Sequence, residues 1–112
     1  MSAYTMRLNG QTTVLTLTAS ASDATAISPN TNVQNNYVAL WNTGSGVAAI
    51  EFAQTSTVPT PAIATSGSAG SLVLPPNMPF PLLVACPPNT FYIKAIGDTT
   101  GSTLLLTPAL SE

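Results

Sequence analysis

Histidine is absent from this chain of 112 residues, cysteine occurs once, and only 5% of the residues are charged. Arg7 and Lys94 are the only bases, and Asp23, Glu51, Asp98 and Glu112 are the only acids. Proton shuttles, hydrolytic triads and most metal sites draw on His, Cys or clustered carboxylates, because these groups change protonation or donate lone pairs near neutral pH. Six scattered charges do not supply such sets. No catalytic, cofactor-binding or metal-binding residue is therefore assigned, no cofactor is expected, and the chain reads as a non-enzymatic protein that works by shape and surface contact. Two bases cannot neutralise a run of phosphates, which argues against binding nucleic acid, and the same shortage argues against an anionic membrane surface. No apolar run approaches the roughly 18 residues of a membrane span, and residues 1–10 carry no long apolar stretch behind a basic head. The expectation is a soluble chain made in the cytoplasm. A single Cys86 excludes an intramolecular disulfide and is most simply a buried thiol.

What is present points to a folded β protein. Hydrophobic residues make up 45% of the chain, beside ten prolines and seven glycines. A chain of this length suits one domain spanning residues 1–112 and buries roughly 65% of the surface that its unfolded form exposes. The formal net charge is only −2, so intrinsic disorder, which pairs low hydrophobicity with high net charge, is disfavoured. Weak mutual repulsion lets surfaces associate. Two resolutions, both expected to apply, are a surface made polar by Thr, Ser, Asn and Gln and a surface covered by partners.

Segments rich in β-branched and aromatic residues recur about every ten residues between Gly, Pro, Asn and Ser punctuation, the pattern of an all-β sandwich or barrel. Strands are expected over residues 12–18 (TTVLTLT), 25–28, 37–42 (YVALWN), 47–54 (VAAIEFAQ), 71–74, 80–86 (FPLLVAC), 90–96 (TFYIKAI) and 102–107 (STLLLT). Gly44 and Gly46 in the link Thr43-Gly44-Ser45-Gly46 suggest that the third and fourth of these form a hairpin. Within residues 47–54, Ala48, Ile50 and Phe52 share one face, expected to be core, while Val47, Ala49, Glu51 and Ala53 form a small, flat face suited to contact with another chain. In residues 90–96, Phe91, Ile93 and Ala95 oppose Tyr92, Lys94 and Ile96. Pro81 places its strand on a sheet edge at that end. Residues 55–70, rich in Thr, Ser, Pro, Ala and Gly, read as a long loop, and residues 1–10 as a short arm. About eight short strands with one long mid-chain excursion fit a small jelly-roll-like, two-sheet antiparallel sandwich. An immunoglobulin-like sandwich is the alternative.

Each local motif has a structural reading that outweighs a chemical one. Asp98-Thr99-Thr100-Gly101 resembles the Asp-Thr-Gly of aspartic proteases, but an additional Thr breaks the motif and no second copy exists; a turn explains it. No helix signal or Lys follows Gly44-Ser45-Gly46 to make a phosphate loop. Thr16-Leu17-Thr18 has the Thr-X-Thr form of ice-binding surfaces without the repeats that these need. Tyr37 and Trp41, on one side of a strand, and Tyr92 could form a sugar-stacking platform, although such residues more often anchor cores or interfaces. Glu51 and Lys94 could pair with each other or across a subunit boundary.

The segments YVALWNTGSGVAAIEFAQ, LPPNMPFPLLVACPPNTFYIKAIG and GSTLLLTPAL, spanning residues 37–110, are similar to small virion proteins of tailed phages, and most resemble the capsid decoration (cement) proteins of short-tailed phages. That resemblance implies a small β-sandwich, often a jelly roll, found on the capsid surface of the virion. Its partners would be the major capsid protein and itself, as a homodimer or homotrimer, and it would stabilise contacts between major capsid subunits. Residues 1–10 and 55–70 are the segments expected to reach the capsid. A carbohydrate-binding or host-adhesion sandwich of a virion is the alternative, carried by Tyr37 and Trp41. A small hydrolase acting through Glu51 or Asp98 is a third.

Overall fold

The structure, a computed structural model, describes residues 6–30, 36–63, 70–87 and 89–111. Nine strands occur among them: β1 (Met6–Leu8), β2 (Thr13–Leu17), β3 (Thr25–Ile27), β4 (Asn36–Asn42), β5 (Ala48–Ala53), β6 (Leu72–Leu74), β7 (Leu82–Ala85), β8 (Phe91–Gly97) and β9 (Ser102–Ser111). One sheet runs β1-β9-β4-β7 with β2 also on β9, the other β3-β8-β5-β6, and every pairing is antiparallel. Strands β2 to β9 behave as one long hairpin in which β2 meets β9, β3 meets β8, β4 meets β7 and β5 meets β6. Rolling that hairpin adds the β4–β9 and β5–β8 ladders and gives the strand order of a jelly roll.

Side-chain alternation sets the core. Leu17, Ile27, Val38, Leu40, Ile50, Leu74, Phe91, Ile93, Leu104 and Leu106 point between the sheets and are buried, and Phe52, Val84 and Cys86 pack against them. Phe52 and Phe91 meet as tilted rings with centroids 6.1 Å apart. The expected faces of β5 and β8 hold: Ala48, Ile50, Phe91, Ile93 and Ala95 lie inside. β7 is an edge strand that starts directly after Pro81, as the proline requires.

Three expectations need correction. The 37–42 and 47–54 segments are not a hairpin: β4 and β5 lie in different sheets, and the glycine link is a corner that carries the chain from one to the other. Along β2 to β9, only β5 and β6 follow each other within one sheet. The last strand does not stop at Thr107 but continues through Pro108 to Ser111. The Pro108 carbonyl accepts the Asn9 N–H at 2.9 Å, so its ring nitrogen also faces the break between β1 and β2, where no ladder partner needs a donor. Gly10 leaves room there, since a Cβ on it would lie 2.9 Å from Cγ of Pro108. Finally, the small face of β5 is partly covered within the chain: Ala49 is buried, flanked in register by Val73 and Ile96.

The two expected arms are partly docked. Residues 6–8 form β1 on β9, while residues 1–5 lie outside the described residues. In the 55–70 loop, Val58 and Pro61 are buried. Ser71 N–H donates to the Ala62 carbonyl at 2.8 Å and Ala62 N–H to the Ser71 hydroxyl at 3.1 Å, closing the loop's base. Residues 64–69 lie outside the described residues.

Candidate functional site

Two regions gather the residues singled out in the sequence: one end of the sandwich, and the outer face of the β1-β9-β4-β7 sheet.

At the end, two polar side chains fasten the β4–β5 corner. Asn42, fully buried, donates from Nδ2 to the carbonyls of Gly46 at 2.9 Å and Pro75 at 3.1 Å, with a longer 3.4 Å contact to Leu74, and accepts the Gly44 N–H at 3.1 Å. Asp98 accepts from Val47 N–H at 3.0 Å on one oxygen and from Thr100 and Gly101 N–H at 2.9 and 3.1 Å on the other. The Val47 bond, with those from Thr100 and Gly101 and against some desolvation, holds the Asp98 carboxyl below its ordinary value. The Asp98-to-Gly101 run is thus a turn clamp whose carboxylate is engaged by its own backbone. A lowered folded pKa means that this contribution to stability is present above the ordinary Asp value and is lost as pH falls through the lower, folded one. Asp98→Asn, which turns one acceptor oxygen into a donor, is expected to lower the melting temperature at pH 6. The gap to the parent should close as both are acidified below about pH 3, a comparison that thermal melts across pH make directly.

Ser102, at the start of β9, is buried, and its hydroxyl has no hydrogen-bond partner among the described residues. Leaving a buried hydroxyl unpaired costs about 1–3 kcal/mol. Ser102→Ala is expected to stabilise the fold by about 1 kcal/mol in urea titration.

Comparison with known proteins adds nothing to the geometry. The chain matches no family model, no curated protein and no solved structure.

The outer face of the β1-β9-β4-β7 sheet is the larger feature. Val14, Leu105 and Trp41 stand side by side in register across β2, β9 and β4, and Ala39 pairs with Thr107 on one side and Leu83 on the other. Leu8 is 66% and Val14 57% exposed. Leu8, Ala39, Trp41, Pro81 and Leu105 line a shallow apolar hollow of about 300 Å³. Of the described charged residues, Glu51 and Lys94 face each other across β5 and β8 on the opposite sheet, Asp98 sits at the corner and Asp23 lies between β2 and β3. Arg7 is exposed on β1 of this sheet but alternates with Leu8, standing in register with Leu110. Exposed hydrophobic surface that is contiguous and free of charge marks a contact site rather than an ordinary monomer surface.

The polar groups on this face are already paired. The Trp41 indole N–H donates to the Met78 carbonyl at 2.8 Å, and the Thr12 and Thr107 hydroxyls bond each other at 2.7 Å. Covering the face therefore strands few donors or acceptors. Met78 is itself held by its N–H on the Asn42 carbonyl at 3.0 Å. It anchors the strap Pro79-Phe80-Pro81, on which Phe80 is 68% exposed.

The remaining sequence candidates separate. Tyr37 and Trp41 share the outer face of β4, but Tyr92 is on the outer face of β8 in the other sheet, so the three aromatics form no common platform. In Thr16-Leu17-Thr18, Leu17 points into the core and the Thr18 hydroxyl accepts the Ser20 N–H at 3.2 Å. Glu51 accepts a short hydrogen bond of 2.5 Å from the Ser71 hydroxyl, which ties β5 to the residue before β6. No group of three or more Cys, Asp or Glu able to hold a metal ion occurs among the described residues. Sequence reasoning overlooked Leu8, Val14, Phe80 and Leu105 as surface residues, since apolar residues on both faces of these strands hide which face is outward.

Cys86 is half-buried and free, and burial pushes its thiol up to about 11. At pH 7 the folded protein then holds roughly a hundredth or less of the thiolate that an unperturbed cysteine would. Alkylation of native protein at pH 7 is expected to be about 100-fold slower than in urea, and its rate should rise steadily up to pH 10.

Proposed function

We propose that this chain is a structural protein of a phage virion, a decoration protein that sits on the capsid and strengthens contacts between major capsid subunits. The observation that carries the reading is the apolar, charge-free outer face of the β1-β9-β4-β7 sheet, a surface suited to protein contact and without groups for acid–base chemistry. The jelly-roll strand order is one that viral structural domains use, though lectins and other proteins use it too. The capsid as partner rests on the resemblance to decoration proteins read from the sequence segments within residues 37–110. Co-sedimentation of purified protein with expanded, undecorated phage heads tests it: saturable binding is expected, and heads that pellet without the protein would end the capsid reading.

One observation favours carbohydrate binding instead. Tyr37 and Trp41 share a face, and the Trp41 ring is 38% exposed with its N–H already engaged. That reading requires glycan binding seen by calorimetry and weakened in Trp41→Ala; silence across a glycan array would leave the structural role alone.

A further inference from the structure

We infer that the outer face of the β1-β9-β4-β7 sheet is covered by the same face of a second copy, in a two-fold dimer in which each Phe80 enters the other chain's Trp41 hollow. The inference rests on the reading of this face as a contact surface and assigns it to the second copy, so that a capsid would be met by the remaining surfaces of the dimer.

A knob and a hole occur together. Phe80 lies between two prolines: Pro79 has a fixed φ, and Pro81 restricts the residue before it to extended backbone. The strap is tied down at Met78 by three contacts, its N–H on the Asn42 carbonyl, its carbonyl on the Trp41 indole, and its sulfur taking the Asn42 N–H at 3.4 Å. An aromatic ring held this way loses little conformational freedom on docking, which is what makes a strong anchor. The hollow bordered by Leu8, Trp41 and Leu105 also includes Pro81, the residue next to Phe80. The knob therefore sits at one end of the hole, which runs from β1 across β9 and β4 to Pro81. A two-fold axis placed between them brings each knob to the other copy's hole and closes the assembly at two.

Charge and area agree with a second copy. No charged side chain lies among the outward positions of β2, β4, β7 and β9, and on β1 the exposed Arg7 alternates with the outward Leu8, so two identical faces meet without like-charge repulsion across them. Leu8, Val14, Trp41 and Phe80 are 66, 57, 38 and 68% exposed, which offers roughly 500 Å² of largely apolar surface, more than half of the ~800 Å² per partner of a standard interface. The internally paired Trp41 and Thr12–Thr107 groups remove the main desolvation cost.

Light scattering and sedimentation of the protein without heads test the dimer. The parent chain is expected at twice the chain mass. Phe80→Asp is expected at the chain mass, with its dissociation constant raised at least 100-fold, its circular dichroism spectrum unchanged, and a melting temperature that no longer rises with protein concentration as the parent's does. Val73→Asp, on the other sheet, should remain dimeric. Mixing Phe80→Cys and Leu105→Cys proteins, both in a Cys86→Ser background, should yield a disulfide-linked pair that neither forms alone. A monomeric parent at millimolar concentration, or a Phe80→Asp protein that stays dimeric, would overturn the inference. Head binding is read separately: a dimer that ignores heads keeps this pairing and ends the capsid role, whereas a monomer that binds heads does the reverse.

Discussion

Asn42→Ala is expected to lower the melting temperature by about 15 °C or more, the largest loss for any single polar side chain in this fold. The residue is fully buried at the end of β4, and one amide serves four backbone groups: Gly44 N–H and the carbonyls of Gly46, Leu74 and Pro75. Removing it leaves buried donors and acceptors without partners, each costing about 1–3 kcal/mol. It also unfastens the corner between the sheets from the 74–78 segment that supports Met78. A total of about 4 kcal/mol is a large fraction of the 5–15 kcal/mol that holds a typical domain together. Asn42→Asp retains the acceptor but loses both donors and buries a charge, so it should be at least as damaging. Urea titration of both variants checks this, and a midpoint within error of the parent in either would show that the corner does not depend on the amide.

Gly44→Ala is expected to cost about 3 kcal/mol or more, and it separates a corner from a hairpin. A Cβ on Gly44 would lie 2.5 Å from the Ser102 Cα and 2.6 Å from the Thr103 nitrogen, both backbone atoms of β9 that no rotamer change can move aside. At Gly46 a Cβ would collide with the Asp98 carboxylate and the Gly101 carbonyl. The glycines are present for close approach of two chain segments. In a hairpin, Gly44→Asn would be well tolerated, because asparagine suits such turns; at this corner it should fail like alanine. Ser45→Ala, at an exposed position between them, should change stability by less than about 0.5 kcal/mol. Normal melting of Gly44→Asn would restore the hairpin.

The strands were legible where one face is apolar and the other is not. TFYIKAI alternates cleanly and became β8 with the expected inner face. The corner was not legible, because Gly-Ser-Gly suits a tight turn and a close crossing equally well, and only the position of Ser102 distinguishes them. Pro108 reads locally as a strand end. Its tolerance depends on Asn9 and Gly10, about a hundred residues earlier in the chain. The contact surface was hidden for a related reason. In VLTL and LLL both inward and outward positions are apolar, so the excess that makes the outer sheet face sticky looks like surplus core. Tyr37 and Trp41 were correctly placed together, whereas Tyr92 was separated from them by the sheet switch that the corner makes.

The place of β9 has a consequence in time. This strand bonds β4 along one side and both β1 and β2 along the other, with Met6 opposite Ser111 and Leu17 opposite Ser102. A chain during synthesis can form the β5–β6 contacts early, but the sheet that carries the outer apolar face has no centre until β9 has been made. Before then, β1 and β2 have no ladder partner among the described strands and β4 has only β7. Because such pairings join distant parts of the chain, refolding belongs in the millisecond-to-second range of β-sandwiches rather than the microseconds of helical bundles. The surface that would meet another molecule is thus completed only when β9 joins strands made much earlier, which delays its association until β1 to β8 are already in place.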